Sequence, residues 1–186
     1  MKSLVLSIMI SSILMNAAAA EKASVPLEVI PSVELERYAG TWYEIARLPN
    51  WFQKKCAGEV SATYTLLEDG RIKVVNRCRN AAGEMTEVEG RAKRAREDGP
   101  NTKLKVRFAP SFLSWLPMVW GDYWIIDLPA DYQYVVIGEP SRKYLWVLSR
   151  TPTMDEATLQ KIVEQSTQQG YDMSGLIRTA QPSNQP

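Results

Sequence analysis

Cys56 and Cys78 are the chain's two thiols, and there is no histidine to activate either of them. Without an imidazole the sequence can build no Ser-His-Asp triad, no Cys-His pair, no His-ligated haem and no His-based zinc site. A glycine-rich phosphate loop and a GxGxxG are missing as well. The thiols therefore offer a disulfide or a lone reactive nucleophile. Residues 1–20 favour the disulfide: Lys2, an apolar run from Leu4 to Met15 and an Ala-x-Ala end describe a secretory signal cleaved near Ala20. An even cysteine count in an oxidising compartment pairs. The alternative for that run, a membrane anchor, falls short, because about 12 apolar residues do not reach the roughly 20 needed to span. Glu44 shares the alternation of Trp42 and Ala46, which makes it an inward, half-buried carboxylate; a bond to Tyr or Arg competes there with acid-base catalysis.

The elements that must position these groups are short and alternating. Val60, Ala62, Tyr64 and Leu66 oppose Ser61, Thr63 and Thr65, and Glu68-Asp69-Gly70 then turns the chain into Ile72–Cys78, a hairpin pattern. A two-residue turn at Asp69-Gly70 would set Cys78 opposite Ser61, so that Cys56 has to fold back from the preceding loop to reach it. Thr86–Ala92 and Leu104–Phe108 each have one wet and one apolar face. Further strands fit Thr41–Arg47, Tyr123–Asp127, Tyr132–Gly138 and Tyr144–Arg150. Eight strands with hairpin-length links predict an all-β fold, an eight-stranded antiparallel up-and-down β-barrel whose closure removes its edges. One α-helix follows: Thr153 and Glu156 have capping-box spacing, Leu159, Ile162 and Val163 form an apolar stripe, and Gly170 ends it. It is expected to pack outside the barrel. The expected organisation is a signal peptide at 1–20, an irregular extension at 21–36, the barrel at 37–151, and the helix with a C-terminal segment at 152–181. Cleavage removes only Lys2 from 22 cations set against 21 anions, a balance that argues against nucleic-acid binding.

"YAGTWYEIARLPNWF" (Tyr38–Phe52) resembles the Gly-x-Trp motif that opens the first strand of lipocalins, and "LWVLSRTP" resembles their final-strand Arg motif. With "VVNRC", "ADYQY" and "GEPSRKYLW" in order, residues from about Leu35 to Gln181 are similar to the bacterial lipocalins, relatives of apolipoprotein D. The resemblance implies a barrel that binds fatty acids, lysophospholipids or other small hydrophobic molecules without a cofactor, in the cell envelope, as a monomer or dimer. Many bacterial members carry a lipid-anchoring cysteine at the cleavage site. Residues 16–20 here are Asn-Ala-Ala-Ala-Ala, so the expected location is periplasmic or secreted, with at most peripheral contact at the outer membrane.

Barrel topology sets Arg150, ending the last strand, beside Trp42 on the first, where a guanidinium over an indole would close the base next to Gly40. The loops after strands one, three, five and seven then share the open end. That end gathers Trp51 and Phe52 with "PSFLSWLPMVW", Pro110–Trp120, a stretch rich in Phe112, Trp115 and Trp120 yet lacking a period of 2 or 3.6, and Trp51, Phe52, Phe112 and Trp115 are expected to contact the ligand there. Lys54, Lys55, Arg142 and Lys143 fall on the same rim, so the rings are either a membrane-touching entrance or a plug over a dry core. Alternation assigns Tyr144, Trp146 and Leu148 to the interior, together with Val88, Ala92, Leu104, Val106 and Phe108. The resemblance adds Tyr123 and Ile125. Ala62, Gly90 and Ala92 are small and are expected to leave room for one ligand. Noncovalent lipid binding is the favoured function; a lipocalin-type enzyme using a thiol or carboxylate, and a module that binds a protein partner through its aromatic loops, remain alternatives.

Overall fold

The computed structural model describes residues 26–182, so the expected signal peptide lies outside the described residues. Eight antiparallel strands close on themselves: β1 (Gly40–Arg47), β2 (Cys56–Leu66), β3 (Ile72–Asn80), β4 (Met85–Arg94), β5 (Lys103–Arg107), β6 (Gly121–Asp127), β7 (Tyr134–Gly138) and β8 (Leu145–Ser149). Each pairs with the next, and β1 pairs with both β2 and β8. The eight-stranded barrel is the expected one. A short helix, α1 (Leu35–Tyr38), precedes the strands, so the extension is not wholly irregular. Its described part is also held in place, with Leu27 and Val33 buried and the Ile30 amide donating to the Ile125 carbonyl at 3.2 Å.

One end is solid. Arg150 lies over the Trp42 ring at 3.8 Å and donates to the carbonyls of Arg37, Ala39 and Thr41. Trp42 Nε1 in turn donates to the Tyr38 carbonyl at 2.8 Å. Gly40 has φ +96°, and a Cβ there would stand 3.3 Å from an Arg150 nitrogen, so this position needs glycine twice over.

The helix α2 (Glu156–Gln168) packs Leu159 and Ile162 onto Ala46, Val136, Leu145 and Val147 outside the barrel, with Val163 half-buried beside them. Its start corrects the expected capping box. Asp155 is the N-cap, accepting from the Thr158 amide at 2.8 Å, and Glu156 instead holds Arg178 through both carboxylate oxygens. An ionised Asp side chain is as good a cap as Thr, and it stands one residue before the helix.

Bulges change the expected register in three places. The β2–β3 turn closes on a Leu67 N–H to Arg71 C=O bond with Gly70 at φ +76°, a three-residue loop rather than a two-residue one, so Ser61 faces Arg77 and not Cys78. Two irregularities between Cys56 and Ser61, with Glu59 at φ +50°, then carry Cys56 into β2 opposite Asn80. Cys56 does not fold back from a loop: it begins the strand, with its Cα 5.5 Å from that of Cys78, and the two are joined as a disulfide. In β1 a bulge between Glu44 and Ala46 flips the faces, so Glu44 opposes Leu148 inside the barrel while Ala46 opposes Val147 under the helix. Ala46 is thus outside, contrary to simple alternation, and Arg47, opposite Trp146, takes the inner side. There Arg47 Nη1 meets Glu44 Oε1 at 2.8 Å, with both side chains buried.

Beyond this bulge β1 and β2 separate, since their pairing ends at Tyr43–Ser61. A ninth strand that alternation did not foresee, β9 (Ile177–Arg178), pairs with Ala46 and Arg47, and the residues after it fill the gap. The Thr179 amide donates to the Ile45 carbonyl and the Glu59 amide to the Ala180 carbonyl. Gln181 Nε2 bridges the carbonyls of Glu44 and Val60, and Thr179 Oγ1 donates to Glu44 Oε1 at 2.5 Å.

Two measurements test this framework. Unreduced, denatured protein is expected to take up no alkylating label by mass, and Cys56→Ser/Cys78→Ser to lose about 3 kcal/mol in denaturant titration. Glu44→Leu, which strands the Arg47 guanidinium, is expected to cost about 3–5 kcal/mol, while Glu44→Leu/Arg47→Met recovers most of that in the same titration.

Candidate functional site

The other end of the barrel encloses a cavity of about 690 Å³. It exists because the large inward side chains gather at the closed end. Trp42, Ile72, Leu104, Ile125, Val135 and Tyr38 belong to one buried cluster there, whose Ala62 and Val74 also border the cavity, and above it the inward positions pass to Asn76, Val88 and Val106. Eight strands leave room for one small ligand when such residues line them.

Of the expected ligand contacts, Trp51, Phe52, Val88, Val106, Phe108, Tyr123, Tyr144 and Trp146 line this cavity. Ala92, Leu104 and Ile125 do not; they face inward as expected, but at depths where the closed-end cluster fills the barrel. Alternation sets the face of a residue and says nothing of its height. Gly90 leaves no room either, because the Phe108 ring covers it so closely that a Cβ there would stand 2.6 Å away.

Phe112 and Trp115 are 74% and 76% exposed and lie outside the cavity, which corrects their assignment as ligand contacts. The reason is a periodicity of three. Ser111–Leu113 and Pro117–Val119 are 3-10 turns, and N–H to C=O bonds between residues three apart run through the stretch from Pro110 to Trp120. At a spacing of three residues, Phe112, Trp115 and Met118 fall on the exposed side. Leu113, Leu116 and Val119 lie on the other, half-buried, with Val119 reaching the cavity. Trp120 does not line the cavity: its Nε1 donates to the Ser114 carbonyl and its ring lies 4.4 Å from Lys93 Nζ on the outer wall. The rim cations also divide. Lys54, Lys55 and Lys143 are exposed, whereas Arg142 Nε donates to the Gln169 carbonyl at 2.6 Å and holds the end of α2.

Around the opening four rings touch in sequence: Trp51 on Phe52 at 5.6 Å, Phe52 on Tyr144 at 5.5 Å and on Trp146 at 6.1 Å. One polar network stands behind them. Gln53 Oε1 accepts from Trp146 Nε1 at 2.8 Å, and Gln53 Nε2 donates to Glu44 Oε2 at 2.8 Å. Glu44 is thereby bonded to Arg47, Gln53 and Thr179 and is engaged as a structural anion. The bond to a basic residue was foreseen; the role of Gln53 was not, for it sits in an aperiodic loop where no sequence signal selects it. At the bottom Tyr64 and Tyr123 point their hydroxyls together at 2.9 Å, and burial pushes the Tyr64 phenol up to about 12. The cavity is a largely apolar well with a structured wall, although Lys55, Arg77, Glu87, Asp122 and Glu139 also border it. Among the described residues no group of His, Cys, Asp and Glu could hold a metal ion.

Known proteins agree with this geometry. A family model for a lipocalin-like domain matches residues 33–181. The chain is 45% identical over 161 residues to temperature-induced lipocalin-1 of Arabidopsis thaliana, covering 86% of each chain. It is 36% identical over 159 residues to the outer membrane lipoprotein Blc of Escherichia coli K12, covering 84% of each. Among solved structures apocrustacyanin C1 superimposes with a TM-score of 0.64 at 15% identity over 81% of each chain, a likeness of fold. The barrel closed by Arg150 on Trp42, the outer helix and these matches together place the chain in the lipocalin family, whose members generally bind small hydrophobic ligands.

Proposed function

We propose that this lipocalin takes up single-chain lipids, fatty acids or lysophospholipids, noncovalently and carries or stores them in the bacterial cell envelope. The observation that carries the reading is the cavity itself. A volume of about 690 Å³ is within the usual range for a small-molecule site, and Val60, Val88, Val106, Phe108 and Trp146 give it an apolar wall. Burying an acyl chain there gains about 25 cal/mol per Å² of apolar surface. The exposed Lys54, Lys55 and Lys143 at the mouth suit an anionic headgroup left in water. The signal-like pattern of residues 1–20 and the relationship to an outer membrane lipoprotein support an envelope location.

The enzyme alternative finds little to work with. Both thiols are spent in the Cys56–Cys78 disulfide, and Glu44 is occupied by three partners. For delivery, the outward face of the mouth loop favours a membrane. Phe112, Trp115 and Met118 are exposed on this loop, as is Trp51 on another loop of the mouth at 72%, and rings of this kind settle at a bilayer interface. A protein partner docking on the same rings is the competing occupant.

Trp146→Glu, which sets a charge in the cavity wall, is expected to weaken competition by a fatty acid against a fluorescent analogue by about tenfold or more while circular dichroism stays that of a folded barrel. Unchanged affinity would place the ligand elsewhere. Phe112→Ser/Trp115→Ser should leave thermal stability and affinity for a soluble ligand nearly as they are, because neither ring is packed, yet slow ligand transfer from phospholipid vesicles severalfold in stopped-flow fluorescence. Parallel loss of affinity and transfer would make the loop a wall of the site and not a membrane contact.

A further inference from the structure

The cavity floor is polar in a way that an acyl chain entering methyl-first does not use. Tyr38 and Tyr123 hydroxyls lie 2.5 Å apart, and Tyr123 and Tyr64 hydroxyls 2.9 Å apart. Among the described residues these are the only hydrogen bonds of the three hydroxyls. Three phenols carry three protons, and two contacts consume two of them. One O–H donor is therefore left over, and its position follows from burial. Tyr38 is 1% exposed, packed against the Trp42 and Tyr64 rings and not among the residues that line the cavity, so a proton directed away from Tyr123 there would find no ligand. Tyr64 and Tyr123 line the cavity. Either Tyr38 and Tyr64 both donate to Tyr123, which then donates into the cavity, or Tyr38 donates to Tyr123, Tyr123 to Tyr64, and Tyr64 into the cavity. In both arrangements the spare donor faces the well, and the second chains three hydroxyls so that each bond strengthens the next. Burial holds all three phenols above their ordinary range, which keeps them neutral donors.

We infer that the Tyr38–Tyr123–Tyr64 relay is a ligand subsite that accepts an oxygen of the bound molecule, a carbonyl, carboxyl or hydroxyl oxygen, at the end buried deepest in the barrel. This rests on the barrel binding a small hydrophobic molecule and narrows the class: the preferred occupant is apolar along its length and oxygenated at its innermost end, whether or not it also carries a headgroup at the mouth. A plain hydrocarbon terminus would leave the spare donor buried and unmatched, which a built hydrogen-bonding site penalises.

The test uses two isosteric probes, dodecan-2-one and 2-methyldodec-1-ene, which differ only in C=O against C=CH2. Each competes with 1-aminoanthracene in the wild-type protein and in Tyr64→Phe/Tyr123→Phe. The expected result is that the double variant binds the ketone about tenfold more weakly and the alkene within about twofold of wild type. A second measurement needs no variant: the infrared stretch of the 13C-labelled carbonyl, bound to wild-type protein, should fall below its position in hexane. An unshifted carbonyl, or equal effects of the variant on both probes, overturns the subsite while leaving the carrier reading intact. A loss of ketone affinity on Asn76→Leu but not on the tyrosine variant moves the oxygen to the cavity wall and overturns it too. If neither probe displaces 1-aminoanthracene from wild-type protein, the carrier reading itself fails, and the subsite with it.

Discussion

The closed end of the barrel rests on one guanidinium. Arg150 belongs to the chain just after the last strand, yet it lies on the indole of the first strand and bonds three carbonyls at the start of the barrel. An interaction of this kind is worth about 0.5–2 kcal/mol as a cation-π contact, but its consequence is geometric. It joins the first and last strands at a single height, so the sheet is locked into a cylinder there and the side chains inside can be large and close-packed. The mouth, nearly a strand's length away, is then free to stay open. A cavity survives in a small protein because the packing density needed for stability has been concentrated below it.

The wall of that cavity is less regular than its topology. At the bulge after Glu44, β1 and β2 part, and a piece of chain from beyond the helix becomes part of the wall. A separated pair of strands would leave unpaired amides beside an apolar well, at the cost that burying such groups without partners carries. Thr179, Ala180 and Gln181 supply those partners, and Thr179 also reaches the Glu44 carboxylate. The Glu44–Arg47 pair thus holds three things at once: the bulge that turns Arg47 inward, the C-terminal segment, and through Gln53 the ring of Trp146 that faces the ligand. A buried ion pair of this kind adds little net stability beyond an apolar substitute, and its value is in specifying one arrangement of the mouth.

What could be read from the sequence alone was whatever depends on period and element order. Alternation marked eight strands; their short links predicted an antiparallel barrel; and topology then brought Arg150 to Trp42 and set the aromatic loops at one end. The inward sets on β4, β5 and β8 followed for the same reason, since the period of a strand is two wherever it stays regular. The even cysteine count and the apolar leader anticipated the disulfide. Tertiary structure decided whatever depends on a break in period or on height along the barrel. One inserted residue in β1 exchanged the faces of Ala46 and Arg47, and two irregularities in β2 set Cys56 within reach of Cys78, because a shift of one residue reverses every side chain that follows. Ala92, Leu104 and Ile125 had the right face and the wrong depth for a ligand. Phe112 and Trp115 had the right end and the wrong side, since a run of 3-10 turns has a period of three that short windows hide. Gln53 and the Tyr38–Tyr123–Tyr64 relay left no trace in any local pattern, for hydrogen bonds between side chains 59 or more residues apart, or from a loop 93 residues away, form only when closure of the barrel brings them together.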